Sequence, residues 1–246
     1  MSDALYVIAR APRVGFAKTR LGRGIGHGRA ISLYRAFLRD LAARFSDSPF
    51  PPGWYVTPPD AWPEISEITG ETGRVIFQGE GDLTERQREL FRGAQDRGED
   101  RTVLVASDSP HLEVGVVEEA FRRLDDDDLV FGPTFDGGYY LIGMRCQGPC
   151  DVLEGVPMSV GTELDGITAR ARLSGLSVGL LEATFDVDVA EDLRHLRPLA
   201  LERADLRATR DALESLGLMD QDTQQDTQQD TQQASQDGQA AGGSRR

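Results

Sequence analysis

The run Thr-Val-Leu-Val-Ala-Ser at residues 102–107 restricts the possible folds more than any other stretch of the chain. It is apolar between its two ends and stops abruptly at Asp-Ser-Pro. A strand whose side chains are apolar on both faces must be covered on both, which is the situation of a strand inside a mostly parallel sheet. Weaker runs of the same kind lie at 4–10, 53–57, 74–79, 128–134, 138–144 and 176–182. Between them the period changes. In 28–45, Ile31, Tyr34, Leu38, Leu41 and Phe45 recur at spacings of three and four, further helices are predicted at 83–96, 113–124 and about 160–174, and helical segments follow the acidic turn 185–193 to about Leu218. Strands alternating with helices predict an α/β fold with a Rossmann-like, mostly parallel central sheet and helices on both faces. The short Phe-Asp-Gly-Gly link between 128–134 and 138–144 predicts one antiparallel strand pair. The stretch of several prolines between the second and third strands predicts a loop.

A chain of 246 residues is long enough for one such domain, expected over residues 1–219. From Asp220 the composition shifts to three copies of Asp-Thr-Gln-Gln without one large apolar residue. Such a segment cannot offset its ordering entropy by burial, so 220–246 is expected to be a disordered tail. The net charge of −14 is shared between the two parts, with five Asp against Arg245 and Arg246 in the tail. A body that acidic predicts no nucleic-acid partner and no attraction to an anionic membrane surface. No apolar run approaches the length of a transmembrane helix and no signal peptide is apparent, so a cytoplasmic location is expected. Cys146 and Cys150 are expected to be reduced thiols, since the scattered His27, His111 and His195 do not complete a metal site with them.

Within this acidic body, residues 10–29 hold Arg10, Arg13, Lys18, Arg20, Arg23 and Arg29 without one acid. Of the chain's 27 basic residues, 26 are arginine and Lys18 is the only lysine. This loop follows the first strand, and in an open α/β sheet ligands gather beyond the carboxyl ends of strands. Arg10, Arg13, Lys18 and Arg20 are therefore candidates for binding a phosphate chain, and a compact ammonium in a tight site would explain why Lys18 has not become arginine. The alternative is a solvated basic face.

Asp108 ends the buried 102–107 strand, where a carboxylate needs a partner. A divalent cation, Mg²⁺ or Mn²⁺, bound to a diphosphate would supply one, with Asp186 and Asp188 as the acids best placed to join it. Asp108 and Asp188 could instead cap the helices that follow them, with Glu191 completing a capping box on Asp188. In Phe-Asp-Gly-Gly-Tyr, Asp136 is either a hairpin-turn residue or a catalytic group. Gly137, Gly138 and Tyr139 would then let a substrate approach and contact it.

The order of these pieces, Ala-Arg-Ala-Pro-Arg-Val-Gly-Phe-Ala-Lys-Thr-Arg-Leu (9–21), Leu-Tyr-Arg-Ala-Phe-Leu-Arg-Asp (33–40), Gly-Asp-Leu-Thr-Glu-Arg-Gln-Arg-Glu-Leu-Phe (81–91), Ala-Ser-Asp-Ser-Pro-His-Leu (106–112), Gly-Pro-Thr-Phe-Asp-Gly-Gly-Tyr-Tyr-Leu-Ile-Gly-Met (132–144), Gly-Val-Pro-Met-Ser (155–159) and Phe-Asp-Val-Asp-Val-Ala-Glu-Asp-Leu (185–193), resembles the DUF2064 family of transferases. That family is placed in the nucleotide-diphospho-sugar transferase superfamily of glycosyltransferase A type. The resemblance covers the body to about residue 200 and implies a nucleotide bound over the first half of the sheet. It also implies a metal held by Asp108 and Asp188, and phosphates facing Arg13, Lys18 and Arg20. Three departures stand out: His111 where the family pattern has Asp, Met158 for a usual Trp, and no Thr-Pro after Asp188.

Fold alone does not select the reaction. One expectation is glycosyl transfer from a nucleotide-sugar donor to a small-molecule acceptor, with Lys18, Asp108 and Asp136 as catalytic residues. A second is nucleotidylyl transfer, in which a phosphate or phosphonate acceptor attacks a nucleoside triphosphate and pyrophosphate leaves. The Lys-Thr-Arg-Leu segment resembles the phosphate-binding segment of that class. A non-catalytic nucleotide-binding module is the third.

Overall fold

The computed structural model describes residues 2–71, 73–157 and 160–219. The expectations for Met158 and for the tail from Asp220 onward fall outside the described residues. Among the described residues, seven strands form one sheet: β1 (Asp3–Arg10), β2 (Gly53–Thr57), β3 (Val75–Phe77), β4 (Arg101–Ala106), β5 (Leu129–Pro133), β6 (Tyr139–Arg145) and β7 (Val178–Leu180). Their order across the sheet is β3-β2-β1-β4-β6-β5-β7. All pairings are parallel except those of β6, which runs antiparallel to both β4 and β5. The hairpin expected from the sequence is thus β5–β6, and the same reversed strand also pairs with β4.

Side-chain alternation divides the core in two. Leu5, Val7 and Ala9 of β1 and Val103 and Val105 of β4 point into one buried cluster, while Ala4 and Tyr6 of β1 and Leu104 of β4 point into the other. The first cluster is covered by α2 (His27–Ser46), α3 (Trp62–Thr69), α5 (Val114–Arg123), α7 (Leu193–Glu202) and α8 (Arg207–Ser215). The second is covered by α4 (Leu83–Arg92) and α6 (Glu163–Leu173). Burial of apolar side chains on both sides of β1 and β4 is what the unbroken apolar runs required.

Two helices escaped the sequence reading. The Lys-Thr-Arg-Leu segment is not loop beyond Lys18: from Thr19 it forms α1 (Thr19–Ile25), whose Gly22 and Gly24 weaken the helical signal but whose Leu21 and Ile25 are buried. The proline-rich stretch after β2 contains α3, which begins with Pro63 in its first turn, where proline costs no hydrogen bond. Buried Asp40 on α2 is spent structurally: its two carboxylate oxygens accept the Ala208 and Thr209 amides at 2.9 and 2.7 Å, at the start of α8.

Candidate active site

Three segments converge at the carboxyl edge of the central strands. Beyond β7 the chain runs beside the end of β5, where Thr134 and Thr184 form a parallel bridge. It then crosses to the end of β4, where the Val187 amide donates to the Asp108 carbonyl at 3.0 Å. That crossing brings Asp186 and Asp188 to Asp108: each of the three offers a carboxylate oxygen within 4.8 Å of the others. His111 supports the same crossing. Its ring is buried, stacks on Phe185 with 4.1 Å between centroids, and bonds the Thr184 hydroxyl through Nε2 at 2.9 Å.

The capping alternatives are corrected here. Asp108 does not cap α5, because Glu113 occupies that position and Asp108 turns its carboxylate to Lys18. The turn after Asp188 is closed by Asp192 rather than Glu191: its carboxylate accepts the Asp188 and Val189 amides, both at 2.7 Å. The Asp188 side chain is left to meet cations, and Arg20 Nη1 reaches its Oδ2 at 2.7 Å.

Lys18 is more deeply set than a phosphate ligand on an open loop would be. Its Nζ donates to Asp108 Oδ2 at 2.9 Å and to the Val187 carbonyl at 2.6 Å, and lies 3.5 Å from Asp188 Oδ1. Burial alone would lower the pKa of this ammonium, but the carboxylates of Asp108 and Asp188 outweigh it and hold the pKa above its usual value. Arg13, expected to face phosphates, does not join the site. It is drawn away by Glu64 and Asp60, whose carboxylates accept from it at 2.6 and 2.9 Å. No pattern in the sequence signals this, because Glu64 lies on the unforeseen helix α3.

Beneath the edge, Tyr34 of α2 bonds Ser107 at 3.0 Å and accepts the Arg10 amide at 3.2 Å, tying the first loop to the end of β4. The Arg10 guanidinium is exposed and has no carboxylate partner among the described residues. Above the edge opens a cleft of about 690 Å³, lined by Arg10, Arg20, Asp108, Asp136, Asp186 and Asp188 among others. A recess of about 420 Å³ adjoins it, where Lys18 and Phe16 meet the same Arg10, Arg20, Asp108 and Asp188.

On the far wall the hairpin and the substrate-contact readings of Asp136 coexist. Its Oδ1 accepts Thr134 Oγ1 at 2.5 Å and the Gly138 amide at 3.2 Å, which is a turn-closing role, yet the residue is exposed and lines the cleft. Gly137 has φ +92°, and a Cβ there would lie 2.1 Å from the Gly161 carbonyl oxygen, so two loops touch at a point only glycine allows. Gly138 and Tyr139 also line the cleft, and Tyr139 Oη donates to Gln87 Oε1 at 2.7 Å. The sequence did not single out Gln78, Arg86, Gln87 or Glu163, which line the same cleft. On α4 the amphipathic spacing and the Asp82–Glu85 capping box already explain the sequence, so nothing marked Arg86 or Gln87 as facing a ligand.

A divalent cation fits the acid cluster on electrostatic grounds. Three carboxylates face two cations, Lys18 and Arg20, and Asp186 has no hydrogen-bond partner among the described residues. Burial, together with the charges of Asp108, Asp136 and Asp188, pushes its pKa up to about 7. A dication at this point would supply the missing positive charge. Asp108, Asp186 and Asp188 are the residues that would hold it.

Comparisons with known proteins agree with this fold. Residues 47–160 match the profile of DUF2064, described as an uncharacterized protein conserved in bacteria, which bears out the resemblance read from the motifs. No curated protein matches the sequence. Among solved structures, a candidate nucleotide-diphospho-sugar transferase of Desulfovibrio desulfuricans G20 is similar with a TM-score of 0.80 and 29% identity, over 88% of this chain and 97% of that one. A cytidylyltransferase from Leptospira borgpetersenii serovar Hardjo-bovis shares the fold with a TM-score of 0.55 and 16% identity, over 88% and 94% of the two chains. The 4-diphosphocytidyl-2C-methyl-D-erythritol synthase of Anaerococcus prevotii DSM 20548 does so with a TM-score of 0.52 and 12% identity, over 82% and 99%. Among the described residues no helix is long and apolar enough to cross a membrane.

Proposed function

We propose that this DUF2064-type chain is a metal-dependent, nucleotide-using transferase that moves a sugar from a nucleoside-diphosphate sugar to a small acceptor. The observation that carries the reading is the meeting of Asp108, Asp186 and Asp188 with Arg10 and Arg20 in one cleft at the carboxyl edge of the sheet. The resemblance to the Desulfovibrio protein, whose name includes nucleotide-diphospho-sugar transfer, supports the sugar as the group that moves.

Arg10 and Arg20 bind the diphosphate and stabilise the charge that grows on it as the nucleoside diphosphate departs. When bound, the cation supplies Lewis-acid neutralisation of the same leaving group. Asp136 faces the acceptor with one carboxylate oxygen engaged by Thr134 and Gly138 and the other left to take up a proton. The acceptor hydroxyl attacks the anomeric carbon, the bond from that carbon to the diphosphate oxygen breaks, and the hydroxyl proton passes to Asp136.

Nucleotidylyl transfer is the second reading, favoured by the basic loop that still presents Arg10 and Arg20 to the cleft. The leaving group separates the two. Panels of nucleoside triphosphates and nucleotide sugars, incubated with Mg²⁺ or Mn²⁺ and followed by phosphorus NMR, should show nucleoside diphosphate released from a sugar donor. Pyrophosphate from a triphosphate, with no release from any sugar donor, would replace the first reading by the second. A panel in which no nucleotide raises the melting temperature, with or without metal, would remove both.

A further inference from the structure

The acid cluster already contains a cation belonging to the chain. Lys18 Nζ meets Asp108 Oδ2, the Val187 carbonyl and, more loosely, Asp188 Oδ1, so three acceptors face its three protons. The side chain is only 4% exposed. Its backbone has φ 47° and ψ 40°, a left-handed conformation that a residue other than glycine keeps only where its surroundings impose it. Two of the three residues that would ligate a divalent cation therefore have an oxygen engaged by this ammonium.

Building on the metal-dependent reading above, we propose that Lys18 is an internal counter-ion that a divalent cation must displace from Asp108 and Asp188, so that the free protein binds the metal weakly and the arriving metal releases the ammonium toward the phosphate cleft. An ammonium and a dication repel one another and compete for the same carboxylate lone pairs. In the absence of metal, Lys18 and Arg20 keep the acids together at tolerable cost. Lysine suits this role better than arginine: its compact head fits three converging acceptors, and its flexible four-carbon stem lets the charge move while the backbone stays in place. The displaced head has somewhere to go, because Lys18 already lines the recess it shares with Arg10 and Arg20.

Lys18 being the only lysine makes the test direct on the unaltered chain. Protein labelled with ¹⁵N-lysine has one side-chain ammonium to observe. Without metal it should give a single hydrogen-bonded signal that exchanges slowly with water, and titration with Mg²⁺ alone should shift that signal and speed its exchange in a saturable way. In parallel, Mn²⁺ binding followed by electron paramagnetic resonance should be on the order of tenfold tighter or more in Lys18→Met than in wild type, with the gain lost in Lys18→Met/Asp186→Asn. Mn²⁺ bound equally by wild type and Lys18→Met, with the ammonium signal unmoved by Mg²⁺, overturns the displacement while leaving the metal site in place. No Mn²⁺ bound by either protein removes the metal-dependent reading, and this inference with it. Should Lys18→Met fail to fold, the labelled wild-type protein decides alone.

Discussion

Arg13 Nε donates to Glu64 Oε1 at 2.6 Å, so an arginine of the basic loop is committed to helix α3 and not to the cleft. Arg20, in the first turn of α1, leans over Asp188 with more than half of its side chain exposed. Their contributions should differ. Arg20→Ala is expected to weaken binding of whichever nucleotide most raises the melting temperature by about tenfold. Arg13→Ala should change that affinity less than about twofold and leave the melting temperature close to wild type, as loss of a solvent-screened ion pair does. Calorimetric titration of both variants checks this, and equal losses would return Arg13 to the phosphate site.

Asp136 combines a turn role with the proposed proton acceptance, and one substitution separates them. In Asp136→Asn the amide oxygen can still accept from Thr134 and Gly138, so the melting temperature should stay near wild type. The variant cannot take a proton, and kcat should fall by about 10²- to 10⁴-fold with little change in donor KM. Near-normal kcat would leave Asp136 with the turn alone.

Much of this arrangement was legible in the sequence. The strands, the acids at their ends and the Asp-Gly hairpin announced themselves because each is a local signal: an apolar run, an abrupt charged stop, a turn dipeptide. What was hidden depended on distant partners. No pattern near Arg13 indicates that Glu64 will reach it, and none near Lys18 indicates that the carbonyl of Val187 will take one of its protons. Helix α1 was missed for a related reason, since Leu21 and Ile25 hold it by tertiary burial against its glycines.

His111 should make the protein sensitive to acid. Burial, with the positive charges of Arg203 and Arg44 nearby, pushes its pKa down to about 4, and its Nδ1 is buried without a hydrogen-bond partner. The unfolded chain takes up this proton near pH 6.5 and the folded chain only near pH 4, so stability is lost as pH falls through that interval. From this group alone, about 2 kcal/mol should be gone at pH 5. Denaturant melts of wild type and His111→Leu at pH 7.5 and pH 5 measure it: the variant, whatever its absolute stability, should lose less on acidification. Parallel losses in the two proteins would show that His111 titrates normally.

The contact between Gly137 and Gly161 gives a fourth test. Gly137→Ala places a Cβ against the Gly161 carbonyl at a backbone conformation that alanine resists. A loss of roughly 1–3 kcal/mol is expected, together with a higher KM for the acceptor as the two loops part. Unchanged melting and kinetics would show that the loops separate freely and do not shape the cleft.

The reversal of β6 has a consequence for how such a protein can diversify. A parallel strand brings one loop to the reactive edge and sends the other to the opposite side. Because β6 runs against its neighbours, the 134–138 turn leaves and re-enters the sheet at that edge, a tight turn between two strands that pair directly with one another up to Pro133 and Tyr139. Its length is tied to that register, but the exposed side chain of Phe135 at its tip can change without disturbing β4, β5 or β6. The carboxylate side of the cleft, assembled from chain ends that cross between strands, has no such freedom. Variation in which acceptor is taken should therefore collect in this hairpin, while the machinery that grips the departing phosphate stays fixed.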